Sequence, residues 1–262
     1  MKTNQMDVLC CPSCKEALSQ LDERISDSNS SDEYICTRCY KKFLNSDGYT
    51  DFLGDKGLGY SSKREKIVRA VYAKFYTPVT NFMFLLCGGV KSARWEVLSR
   101  LEIKNGDIVL ETGMGAGENF LWMNRMADNL TLYGIDIQKQ MMIHCMKNLN
   151  RWNIKGEIYR ADAEELPFRD ERFDVVFHLG AINLFPDKRK ALAEMIRVAK
   201  SGTKIVIADE TQKAGKLFNL FTGSDDEIIP PVDLIPKEML NMKYEIIWRG
   251  YGYIISFVKP PS

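Results

Sequence analysis

The chain predicts an α/β protein built on a mainly parallel sheet. Three observations carry that expectation: near-continuous apolar runs that end in acids or small polar residues, helical patterns between those runs, and a glycine-rich turn directly after the first of them. Ile108-Val109-Leu110-Glu111-Thr112 reads as a strand buried on both faces, and Gly113-Met114-Gly115-Ala116-Gly117 as the turn that follows. Further strands are expected at Thr131–Asp136, Gly156–Ala163, Phe173–His178 and Thr203–Asp209. Between them, Phe120, Leu121, Met123 and Met126, then Met141 to Leu149, then Leu192, Met195, Ile196 and Val198 before Ser201-Gly202, recur at helical spacing. Tyr244–Trp248 and Tyr253–Val258 are joined only by Arg249-Gly250-Tyr251-Gly252, too short for a parallel crossover, so these two runs must pair antiparallel.

The glycine turn points to a ligand held against bare backbone. Glycines at alternate positions let the chain turn tightly and approach a bound molecule where a Cβ would intrude. A dinucleotide fingerprint would need its third glycine at 118, where the chain has Glu118, and a carboxylate there disfavours a pyrophosphate. Asp136 lies about 20 residues past the turn, the place of a ribose-binding carboxylate in Rossmann-type sheets. These stretches resemble, in order, the motifs of the class I S-adenosylmethionine (SAM) methyltransferases, in particular methyltransferase type 11-like domains, over roughly residues 96–262. The resemblance implies a Rossmann-like seven-stranded sheet of five parallel strands plus an antiparallel C-terminal pair. It implies SAM contacts from Glu111, Gly113, Gly115, Gly117, Asp136, Ile137, Asp162, Ala163, His178 and Leu179, with Asp162 facing the adenine amine.

Cysteines mark a second unit. Cys11-Pro12-Ser13-Cys14 and Cys36-Thr37-Arg38-Cys39 are two C-x-x-C pairs separated by a polar loop that includes Ser26 to Glu33, the signature of a zinc ribbon. Cys10 would need a cysteine at Ser13, so Cys11, Cys14, Cys36 and Cys39 are the expected ligands of one structural Zn²⁺ with no open coordination position. Disulfides or free core cysteines are the alternatives, the former disfavoured in a reducing compartment. Cys87 and Cys145 stand in apolar helical contexts and read as packing residues. The expected organisation is a zinc-ribbon domain at 1–57, a helical lid or linker at 58–105 and the SAM-binding domain at 106–262.

Charge separates the candidate acceptors. The chain carries 36 basic and 35 acidic residues, and residues 1–57 hold seven basic against ten acidic, a poor clamp for nucleic acid. Between Tyr60 and Lys104, nine basic residues face three acidic ones. There Ser62-Lys63-Arg64-Glu65 reads as a capping box, followed by an apolar stripe of Ile67, Val68, Val71, Tyr72, Phe75 and Tyr76 up to Pro78. That element either packs on the sheet or forms a basic, aromatic lid over the substrate; its residues are loosely similar to the entry of quinone C-methyltransferases. The longest apolar run, Phe82 to Val90, is too short to span a bilayer and no signal peptide is evident, so a cytoplasmic location is expected.

The expected activity is methyl transfer to a small, partly apolar acceptor, lipid-like or quinone-like, with contact at a membrane surface as a corollary of the basic lid. Methylation of an RNA base, with the ribbon and lid as platform, is the alternative; a SAM-binding regulatory protein without activity is a third. His178 ends the fourth strand with a side chain suited to accepting a proton, and is the expected catalytic base; a wall residue is its plainer role. Asp209 and Glu210 end the fifth strand, where they orient an acceptor or cap the next loop. Oligomeric state is not legible.

Overall fold

The computed structural model describes residues 5–20, 33–46, 48–54, 84–85, 88–180, 182–216 and 227–261. The proposed capping box and apolar stripe at 62–78, and residues 26–32 of the polar loop, lie outside them.

Among the described residues, eleven strands form one sheet. The central strands are β5 (Ile108–Thr112), β6 (Thr131–Asp136), β7 (Glu157–Arg160), β8 (Val175–Leu179) and β9 (Lys204–Glu210). They run parallel in the order β7-β6-β5-β8-β9. Their buried residues are apolar because helices or loops cover both faces, except at the carboxyl ends, where Glu111, Thr112, Asp136, His178 and Asp209 are buried. Strands β10 (Leu240–Ile247) and β11 (Gly252–Val258) close one edge antiparallel, with Tyr253 opposite Asp209 in the β11–β9 ladder. This is the seven-stranded arrangement expected from the sequence.

At the other edge the sheet continues beyond expectation. Strands β1 (Leu18–Gln20), β2 (Glu33–Cys36), β3 (Lys42–Ser46) and β4 (Tyr49–Asp51) form an antiparallel meander, and β4 pairs in parallel with β7 through Thr50–Tyr159 and Asp51–Arg160. The cysteine module is thereby hydrogen-bonded into the main sheet.

The core lies on both faces. On one, helices α2 (Val90–Leu98), α3 (Glu118–Met123) and α4 (Lys139–Trp152) bury Val97, Leu98, Phe120, Met142, Cys145 and Leu149 against Val109 and Leu132. On the other, helix α5 (Lys188–Val198) covers β5, β8 and β9. The chain has no helix between β7 and β8, and Val8 and Leu9, at the end of the short helix α1 (Gln5–Val8), fill part of that face. The Cys10 amide donates to Pro167 O at 2.9 Å and the Arg169 amide to Val8 O at 2.8 Å. The Val8 and Leu9 side chains are fully buried, which stabilises the junction by about 1.5–3 kcal/mol each. An aromatic cluster of Tyr133, Tyr159, Phe168 and Phe173 continues beneath them in edge-to-face contacts. Among the described residues no helix is long and apolar enough to cross a membrane.

Candidate functional site

The first, second, third and fourth parallel strands end side by side, and their carboxyl ends carry every residue expected to meet the cofactor. The glycine turn leaves β5 with Gly113, Gly115 and Gly117 at φ 69°, 56° and 73°, the left-handed region that only glycine enters without cost. A Cβ on Gly117 would lie 2.6 Å from Cys145 Sγ, and one on Gly113 would lie 3.0 Å from the His178 ring. The turn is thus pressed against α4 on one side and β8 on the other.

Asp136 ends β6 and is tied to the turn: the Gly115 amide donates to its Oδ2 at 3.0 Å and the Gln138 amide to its Oδ1 at 2.8 Å. Burial raises its pKa to about 6 in spite of those amides. Each oxygen keeps a lone pair, enough to accept ribose hydroxyls. Ile137 follows directly and is half-buried, and Asp162 and Ala163 sit on the loop after β7, where the Glu164 amide donates to Asp162 Oδ1 at 2.9 Å.

Glu111 is fully enclosed on β5. Asn119 Nδ2 donates to its Oε1 at 2.5 Å, while Oε2 is buried with no partner. Desolvation pushes its pKa up to about 8, against the Asn119 hydrogen bond and the nearby Arg94 charge. Arg94, on α2 and almost wholly buried, donates to Asn119 Oδ1 and pairs with Glu118 Oε2. The repulsion expected of Glu118 is therefore largely cancelled by Arg94, although the carboxylate still occupies the start of α3. Sequence reasoning missed Asn119 and this role of Arg94. Neither stands in a cofactor motif, and Arg94 reaches the site from α2, 25 positions before Asn119.

His178 ends up in the wall of the site. It has no exposed surface, and its Nδ1 lies 2.7 Å from Thr112 O, so Nδ1–H donates to that carbonyl and the neutral ring presents a bare Nε2, which is buried without a partner. Burial lowers its pKa to about 4, with the Thr112 and Gly180 backbone opposing. A ring held this way is a good hydrogen-bond acceptor and a weak proton sink. Leu179 follows, half-buried. Asp209, at the end of β9, is fully buried and accepts from the Asn183 amide at 3.1 Å; desolvation, then Glu210, hold its pKa well above the usual carboxylate range. His144 is on α4, 3.2 Å from Gln140 Nε2 and apart from these strand ends.

The four expected metal ligands converge as well. The sulfurs of Cys11, Cys14, Cys36 and Cys39 all lie within 4.8 Å of one another, with Cys11–Cys39 at 3.6 Å and Cys14–Cys36 at 3.4 Å. Tetrahedral Zn–S bonds of about 2.3 Å put sulfurs about 3.8 Å apart, so the cluster has the right size and the right soft donors for that ion. Cys10 is outside the cluster, buried against the body of the protein, with its thiol pushed up to about 11 by burial.

Strand order and strand-end site together define a Rossmann-like class I methyltransferase fold. Comparison with known proteins agrees. The family described as a methyltransferase domain matches residues 110–207. It is 33% identical over 106 residues to phthiotriol/phenolphthiotriol dimycocerosates methyltransferase 1 of Mycobacterium ulcerans, covering 40% of this chain and 38% of that one. It is 31% identical over 107 residues to the phosphatidylethanolamine N-methyltransferase of Cereibacter sphaeroides, covering 40% and 51%. The aligned stretch thus spans roughly two fifths to half of these relatives. A solved structure of Haemonchus contortus phosphoethanolamine N-methyltransferase 2 with S-adenosyl-L-methionine superposes with a TM-score of 0.58 at 16% identity, over 77% of this chain and 61% of that one, which shows the shared fold.

Proposed function

We propose that the protein transfers a methyl group from SAM to a small, partly apolar acceptor of lipid-like or quinone-like character. The observation that carries the cofactor assignment is one juxtaposition: three glycines at positive φ, the unpartnered Glu111 Oε2 and the Asp136 carboxylate, all at adjoining strand ends. Bound there, SAM supplies a methyl already activated on a sulfonium. The chain's own task is then to orient the acceptor and to receive any proton it loses. Gly113, Gly115 and Gly117 leave the backbone bare for the cofactor, Asp136 accepts the ribose hydroxyls and Asp162 the adenine amine. Glu111 and Leu179 face the amino-acid end, and Ile137 and Ala163 flank the adenine.

His178 is the candidate catalytic group. With Nδ1–H engaged by Thr112 O, its Nε2 lone pair is free to accept a hydrogen bond from an acceptor N–H or O–H. The cysteine cluster holds one structural Zn²⁺, and four thiols that must stay reduced suit a cytoplasmic protein. The apolar acceptor is supported by the near-neutral total charge and by two relatives whose names specify lipids. Contact with a membrane surface would come from the basic stretch between Tyr60 and Lys104, of which residues 60–83 lie outside the described residues.

The test is transfer of labelled methyl from SAM into fractionated cell extract, scored in organic-soluble, RNA and protein pools. Label in the organic-soluble pool is expected. Label confined to RNA would replace the acceptor class by an RNA base, and no labelling with intact SAM binding would leave a regulatory SAM-binding protein.

A further inference from the structure

Arg160, the last residue of β7, stands between the cysteine module and the cofactor crevice. In the sheet it is paired on one side with Asp51 of β4 and on the other with Asp136 of β6. Its guanidinium spans the same gap: Nη1 donates to Asp51 Oδ2 at 2.7 Å and to Gly54 O at 3.1 Å, while Nε donates to Ile137 O at 3.2 Å. Its main chain continues the link, since the Phe52 amide donates to Arg160 O at 2.9 Å and the Ala161 amide to Asp136 O at 3.2 Å. Asp51 is held in turn, because its Oδ1 accepts from the Leu53 and Gly54 amides at 2.9 and 3.0 Å. Both partners are largely buried, with side-chain exposures of 12% and 17%, so this ion pair is shielded from water in a way that surface pairs are not.

Just beyond the clasp lies a cavity of about 240 Å³ lined on the module's side by Pro12, Ser13, Lys41, Lys42, Phe43 and Phe52 to Gly54, and on the other by Asp162 and Glu165. Pockets that enclose a whole ligand run to about 300–1,000 Å³, so this one suits one end of a ligand. Phe43, Phe52 and Leu53 offer apolar surface to a purine and Asp162 a carboxylate to its exocyclic amine, with the Lys41 and Lys42 cations beside them.

We propose that the cysteine module forms the outer wall of the adenine end of the cofactor site, with Arg160 as the positioning residue that holds the wall in place. The inference rests on the cofactor reading above and extends it. Metal occupancy of the four cysteines would then act on SAM affinity through β4, although no metal ligand touches the cofactor.

Calorimetric titration of the zinc-loaded full chain with S-adenosylhomocysteine and with 5′-methylthioadenosine, which lacks the amino-acid end, tests this. Arg160→Met and the near-isosteric Asp51→Asn should each weaken both ligands by the same factor, about fivefold or more, with zinc content unchanged. Chelation should produce a similar loss in the wild type and little further loss in Asp51→Asn, as expected of parts acting through one contact. If Arg160→Met fails to fold, Asp51→Asn carries the test. Affinities within about twofold of wild type, or a loss for S-adenosylhomocysteine alone, would overturn the wall. Asp136→Ala separates the two ideas. If it too leaves both affinities unchanged, the cofactor reading itself fails; if it weakens them while the clasp variants do not, only the wall does.

Discussion

Replacing Glu111 by Gln should remove a defined part of the protein's pH dependence. The folded protein holds this carboxyl in a dry site with its pKa at about 8, above the 4.5 of a free glutamate. Between those values the folded state binds a proton that the unfolded state has released, so the Glu111 contribution to stability falls as pH rises through that window. Other groups overlap the lower part. His178, lowered from 6.5 to about 4, works in the opposite direction, because its stabilising effect is present above 6.5 and is lost as pH falls. Asp136, at about 6, has nearly finished titrating by pH 7. From pH ~6.5 to ~8 the difference between wild type and Glu111→Gln therefore isolates Glu111. One proton accounts for at most about 1.4 kcal/mol per pH unit, and half-titration at the upper end brings the expected fall to about 1.5 kcal/mol. Urea denaturation of both proteins at four pH values across that range measures it. A wild-type-minus-variant difference that stays flat, or that grows with pH, would refute the account of Glu111 as a buried, mostly protonated carboxyl.

Three further outcomes follow from the same geometry. Asp136→Ala, which removes the proposed acceptor for the ribose hydroxyls, should cost about 1.5–3 kcal/mol of SAM binding, at least tenfold in Kd by calorimetry; tighter binding of NAD than of SAM would contradict the cofactor assignment. Metal analysis should find one zinc per chain, lost in Cys11→Ser and retained in Cys10→Ser, and chelation should lower the melting temperature of the whole protein because β4 and Leu9 belong to the main sheet and core. Gly117→Ala forces a Cβ at φ 73° to within 2.6 Å of Cys145 Sγ and should destabilise by about 1–3 kcal/mol in urea; an unchanged midpoint would mean that α4 yields freely.

The sequence alone determined the central architecture, because the signals there are local and repeated. Strands buried on both faces must be apolar throughout, and a chain turning against a ligand must use glycine, so Ile108–Thr112 and Gly113–Gly117 were legible without coordinates, as were Asp136 and the two C-x-x-C pairs. The four-residue link before Gly252 likewise left only an antiparallel end to the sheet. Tertiary structure alone decided what depends on contacts between distant segments. Nothing near Arg94 or Asn119 announces that they meet Glu111, and nothing near Asp51 announces Arg160, 109 positions away. The state of His178 was decided there too: full burial and the Thr112 carbonyl hold a neutral ring with Nδ1–H engaged, which no residue near it in sequence announces. The joining of the cysteine module to β7 belongs to the same class. A strand edge satisfies its hydrogen bonds with whichever partner the fold brings alongside, and the residues of β4 carry no mark of which edge that is.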